Sequence, residues 1–320
     1  MIGRLPNAIR LLFRGRKEGR IRATWRIVFA FGLFLAVAIG IFRASAAAGI
    51  PDGYQRVVTA TGYVVATGVV LVVIPRRVDR RSIREYGFDV DRRWWFDFVG
   101  AVGIGLLWQA LIAVTYLGLG WASVTGIVSP GSSAFAVGMA LTLLSFVGVG
   151  IWEETLFRGV FIINATEGFA ERGFSPATAV WLAWLISSLT FGVIHYWQAT
   201  GQEGVAVPVV LVSTTISGAY FGLAYVLTGN LGFPIGLHVS TNFAGVAVFG
   251  KTAAPGDEFP ALIRLETTFP GVWNTLDGLN LFFVTLMLAL VVVWVYATRR
   301  EISVDEALVR AASDDDTIGG

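Results

Sequence analysis

The chain has 320 residues, of which 55% are hydrophobic and only 14% charged, and its mean hydropathy is +0.69. Those proportions exclude a soluble globule and leave no room for a large soluble domain beside the spans of a polytopic membrane protein. The formal charge is +2 while the isoelectric point is near 9.0, so the arginines act as local clusters that set topology and attract anionic headgroups; no nucleic-acid partner is expected.

There is no cysteine. Disulfides, iron–sulfur clusters, thiolate zinc sites and cysteine nucleophiles are therefore all excluded, and any metal must be held by histidine, carboxylate or carbonyl.

Apolar runs of about 20 residues, the length that crosses roughly 30 Å of hydrocarbon, predict an all-α bundle of about eight spans. In chain order they are 27–48, 57–74, 97–119, 134–163, 176–196, 205–227, 233–250 and 278–298. The first run is too long for the apolar part of a signal peptide, so residues 1–26 read as the basic flank of a retained anchor. Arg4 through Arg26, Arg76 through Arg93, and Arg299, Arg300 and Arg310 fall on one side of an even-numbered bundle. That pattern predicts cytoplasmic termini and a plasma-membrane location.

The predicted organisation is a basic cytoplasmic N-terminus 1–26, N-terminal spans 27–133 and a membrane core 134–250 that carries the unusual polar residues. An extracytoplasmic loop 251–277, a last span 278–298 and a cytoplasmic tail 299–320 follow. The loop is a lid or a connector, and the acidic tail from Glu301 reads as disordered. Trp25, Trp94, Trp95, Trp121 and Trp273 stand near span ends, where an amphipathic ring prefers the headgroup level.

Inside the core, Glu153-Glu154-Thr155-Leu156-Phe157-Arg158 interrupts an otherwise apolar run. Insertion scales put an Asp, Lys or Arg at a helix centre at about 2.5–3.5 kcal/mol, so such residues mark pathways, relays or active sites. Glu154 and Arg158 are four apart with the acid first, the better order for an intrahelical pair. Glu153 points about 100° away, which leaves it free for chemistry while Arg158 holds Glu154.

The chain's two histidines, His195 and His238, both lie in predicted spans, and Asn242 shares a helical face with His238. If spans four and five form a hairpin turning at Gly173-Phe174-Ser175-Pro176, Glu153 lies twenty-one residues before Phe174 and His195 twenty-one after it, at one depth. His238 joins them only if the uncharged loop Thr228–Phe233 is recessed into the protein. A carboxylate with an imidazole can activate water, and an imidazole with a carboxamide can stabilise an oxyanion. Alternatively Glu153, His195 and His238 hold zinc, which then activates the water. The residues alone leave both versions open.

The three motifs, E-E-x-x-x-R at Glu153-Glu154 and Arg158, F-x-x-x-H at Phe191 and His195, and H-x-x-x-N at His238 and Asn242, occur in order. They make residues 134–250 resemble the CPBP intramembrane protease family, which includes CAAX prenyl endopeptidases and bacterial Abi-type proteins. The resemblance implies cleavage of a peptide bond in a membrane-anchored peptide or protein substrate beside membrane lipid. It implies Glu153 as general base aided by His195, His238 and Asn242 at the oxyanion, and Glu154 and Arg158 in support. It implies either a metalloendopeptidase or a metal-free glutamate protease. Two other classes compete: a proton-coupled transporter built on the same relay residues, and a non-catalytic immunity or scaffold protein that keeps the fold and acts by binding.

Overall fold

The computed structural model describes residues 13, 20–50, 54–129, 134–196, 200, 207–250, 259–267 and 281–313. It is a helical bundle: α1 (Ala23–Ala47), α2 (Gln55–Val73, continued by a π-helical turn Ile74–Asp79), α3 (Arg92–Gly118), α4 (Phe135–Ala170), α5 (Pro176–Ile194), α6 (Val207–Thr228), α7 (Gly232–Phe243), α8 (Leu281–Arg299) and α9 (Glu306–Ser313). Seven of these, α1 to α6 and α8, are long and apolar enough to cross a membrane among the described residues.

The remaining predicted span, α7, differs from the others. It is a 12-residue α-helix continued by a five-residue π-helical turn, Ala244–Val248, and every residue from Leu231 to Thr241 is buried. It runs through the protein and is walled off from lipid by its neighbours. Small residues bring those neighbours close: Gly105 of α3 lies against Ser240, Gly236 of α7 against the Phe98 carbonyl, and Gly150 of α4 against Val239. Without a hydrophobic drive between helices in lipid, such close backbone approach is what holds a bundle.

The hairpin between α4 and α5 forms as its turn chemistry requires. The Ser175 side chain accepts the Thr178 N–H, and Pro176 takes the first helical position, where its missing N–H costs nothing. The loop before α7 is recessed. The Leu231 N–H donates to the Gly87 carbonyl at 2.9 Å, Leu231 is fully buried, and Gly232 fits against the Trp94 backbone and ring.

Several expectations need correcting. Trp94 is not a headgroup anchor: it is buried, stacks on Phe98 with the rings 5° from parallel, and donates its indole N–H to the Gly87 carbonyl. Trp273 lies outside the described residues. Arg26 is fully buried and pairs with Glu167 at 2.7 Å instead of facing headgroups. The tail does not stay disordered after Glu301, because α9 buries Leu308 and the Asp305 N–H donates to the Val226 carbonyl.

Part of the 251–277 loop is a strand. Ala261–Thr267 (β2) pairs antiparallel with Ala122–Ser129 (β1), from Ala122 opposite Thr267 to Ser129 opposite Ala261, with an irregularity between Val124 and Gly126. The alternation in Ala-Leu-Ile-Arg-Leu-Glu-Thr suits a pleated ribbon better than a coil. The question of a lid falls on residues 251–258 and 268–277, outside the described ones.

Candidate active site

The long helix α4 carries the acids at its middle. Glu153 and Glu154 end its first α-helical segment, and a π-helical stretch, Thr155–Ile162, follows directly. π-Helical turns commonly sit at functional sites, and one effect of this stretch is visible: the Ser187 hydroxyl of α5 donates to the Phe157 carbonyl at 2.7 Å. That bond ties the motif to α5 across the hairpin.

Glu154 is fully buried and doubly held. Its Oε2 lies 3.0 Å from Arg158 Nε, and its Oε1 accepts from His238 Nδ1 at 2.7 Å. Arg158 is also fully buried and donates from Nη2 to the Gly218 carbonyl of α6 at 3.0 Å. Three aromatic rings surround its guanidinium, Phe191 at 4.5 Å, Phe221 at 5.6 Å and Phe157 at 5.9 Å. The ion pair with Glu154, the Gly218 carbonyl and these ring faces answer the charge of a buried guanidinium, while Nε and Nη1 make no hydrogen bond among the described residues.

Glu153 is held differently. Its Oε2 is 3.8 Å from His238 Nε2, beyond hydrogen-bond reach, and it accepts no hydrogen bond among the described residues. His238 thus stands between two carboxylates, bonded to Glu154 through one nitrogen and facing Glu153 with the other.

The other imidazole has its tautomer fixed by the backbone. His195 closes α5, and its Nδ1–H donates to the Phe191 carbonyl at 2.7 Å, because a carbonyl can only accept. Nε2 is left with its lone pair. The Phe191 ring lies between the two histidines, 4.8 Å from His195 and 6.3 Å from His238. Asn242 follows His238 by one turn of α7, is half-buried, and has no hydrogen-bond partner among the described residues.

Arg158, Glu154, His238 and Glu153 therefore form a chain of contacts in that order, and Phe191 links His195 to it. The imidazole facing Glu153 is His238, with Nε2 3.8 Å from Oε2; His195 is in contact with the Phe191 backbone and ring. As a zinc set, Glu153, His195 and His238 do not fit: no three His, Asp or Glu side chains among the described residues converge as metal ligands. No step below is routed through a metal.

The motifs left two contributors unmarked. Gly218 supplies the carbonyl that holds Arg158, and Phe221 lies flat on the His238 ring, centroids 4.4 Å apart and 13° from parallel. The Gly218-x-x-x-Gly222 spacing on α6 is the available signal, a small-residue pair that lets α6 close on α5.

Compared with known families, residues 134–244 match the family described as Rce1-like, type II CAAX prenyl endopeptidase Rce1-like. No curated protein and no solved structure matches the chain.

Proposed function

We propose, from a chain whose residues 134–244 belong to the Rce1-like family, that this CAAX-type intramembrane endopeptidase uses Glu153 as its general base. One observation carries the assignment: of the two adjacent buried acids, Glu154 is fixed by Arg158 and His238, while Glu153 has no hydrogen bond among the described residues. A carboxylate engaged by a guanidinium and an imidazole is a poor base; its less engaged neighbour can take a proton from water.

In this reading a water sits against Glu153 and the lone pair of His195 Nε2. As its oxygen attacks the scissile carbonyl carbon, Glu153 takes the proton and the carbonyl electrons move onto oxygen. The Asn242 carboxamide donates to that oxyanion. Protonated Glu153 faces His238 Nε2, and passing the proton there gives an imidazolium, stabilised by Glu154, that donates to the oxyanion as well. The proton then goes to the leaving amine as the C–N bond breaks, giving one carboxylic acid and one amine per water consumed. Arg158 and Glu154 are not consumed; they keep His238 Nδ1 engaged and its ring in place.

The substrate is a membrane-tethered peptide, and the test uses such peptides with and without a C-terminal prenyl group, cleaved by purified protein in lipid vesicles. Glu153→Gln is expected to lower the rate at least about a hundred-fold, the usual share of a general base. Chelator-treated protein is expected to keep its activity. Cleavage that survives Glu153→Gln would overturn the assignment of the base. Cleavage lost on chelation and restored by zinc would replace the metal-free scheme.

A further inference from the structure

The peptidase reading assigns His238 two in-plane duties, toward Glu154 and toward Glu153, and both depend on the plane of its ring. A single hydrogen bond at Nδ1 fixes one point of that plane but not its tilt. The other constraint is Phe221. Its ring is 2% exposed, and it lies parallel to the imidazole at a contact distance typical of stacked rings. Phe191 meets the same imidazole edge-on, at 71°.

Phe221 is itself buried in the packing of α6. Gly218 and Gly222 allow α6 to approach α5 until a Cβ at either would crowd Phe191 and Ser188 or Trp184. Phe221 shares one buried cluster with Ala101 of α3, Leu237 of α7, and Met287 and Val291 of α8. The last span, outside the matched family segment, thus contributes to the cluster that holds this ring.

We propose that Phe221 is a positioning residue for hydrolysis: its ring fixes the plane in which His238 Nδ1 meets Glu154 and Nε2 faces Glu153. This rests on the peptidase reading of the same site. Phe221→Leu keeps apolar volume and removes the flat face, whereas Phe221→Tyr keeps the face. Phe233→Leu is the control for packing loss, because Phe233 lies in the same cluster but stacks on Trp294.

The measurement is kcat and KM for the cleaved vesicle-bound peptide, alongside melting temperature and the 15N–1H signals of the His238 ring. For Phe221→Leu we expect kcat about ten-fold lower with KM little changed, a loss in line with one aromatic pair. Phe221→Tyr should keep most of kcat, and Phe233→Leu should lower melting temperature without that loss. Equal kcat for Phe221→Leu and Phe233→Leu, or a Phe221→Tyr as slow as Phe221→Leu, overturns the proposal. Wild-type protein without Glu153-dependent cleavage would fail the peptidase reading alone. The ring signal then decides: a hydrogen-bonded Nδ1–H retained unchanged in Phe221→Leu refutes the positioning role, and one lost there and kept in Phe221→Tyr supports it.

Discussion

Glu153 and Glu154 are neighbours in the chain with opposite surroundings, and their amides should behave oppositely. Glu154→Gln leaves the Arg158 guanidinium buried without its countercharge, a loss of about 3–5 kcal/mol for a broken buried pair. Glu153→Gln removes a buried charge that has no hydrogen bond to lose, so its melting temperature in detergent should equal or exceed that of the wild type. A Glu154→Gln protein as stable as Glu153→Gln would contradict this division. A second residue-scale expectation concerns Tyr86, between α2 and α3. Burial, with the Asp79 carboxylate it donates to, pushes its hydroxyl above the usual range. The unfolded chain gives up this proton first, so the contribution is constant below about pH 10 and stability falls as pH rises beyond it. Tyr86→Phe should be less stable at neutral pH and show a shallower alkaline decline in thermal melts. At this scale the sequence was most legible where chemistry contrasts with lipid. Two acids, an arginine and two histidines stand out of an apolar text because each is costly there. Phe221 did not, since an aromatic residue in an apolar run carries no contrast and only the imidazole beneath it reveals its use.

Between elements, the closeness of α5 and α6 sets where His195 ends up. A Cβ on Gly192 would lie 1.9 Å from the Thr215 hydroxyl and 2.8 Å from the Leu211 carbonyl, and the second of these is backbone that cannot turn aside. Gly192→Ala should therefore push the last turn of α5 outward and move His195 with it. We expect cleavage to fall about a hundred-fold, as for a displacement near 1 Å in a catalytic group. Overpacking should cost only about 1–3 kcal/mol of stability. Gly222→Ala is the comparison: its Cβ would crowd the Trp184 side chain and no backbone atom among its nearest neighbours, and its effect on cleavage should be smaller. Comparable rates for the two variants would argue against this account. The helices themselves were readable from length and hydropathy, and the Ser175-Pro176 start of α5 from turn chemistry. The β1–β2 pair was not, because its strands are separated by more than a hundred residues and nothing local records their register.

Across the whole molecule, the arginine clusters serve two ends. Arg76, Arg77, Arg80, Arg84, Arg92 and Arg93 are exposed, as topology-setting charges should be. Arg26 and Arg81, read from sequence as part of the same belt, instead converge on buried Glu167 and tie α1 and the segment after α2 to the foot of α4. Charge counts cannot separate these roles, since an arginine in a loop looks the same whether it meets headgroups or a carboxylate. With α7 counted as an eighth crossing, we expect both ends of the bundle on one side, that of the exposed α2–α3 arginines. Reporter fusions at Met1 and at Gly320 should both register the cytoplasm, and a split result would require the orientation to be reassigned.

The enclosure of α7 bears on how the protein is made. A helix too short to span comfortably, carrying His238 and Asn242, and shielded on every side in the finished fold, has little to gain from partitioning into lipid by itself as it leaves the insertion machinery. It gains by slotting between α3 and α4, which are synthesised before it. On this account the residues proposed to complete the site would enter the bilayer as passengers of helices already there, and the site would come into being only once the bundle has assembled around them.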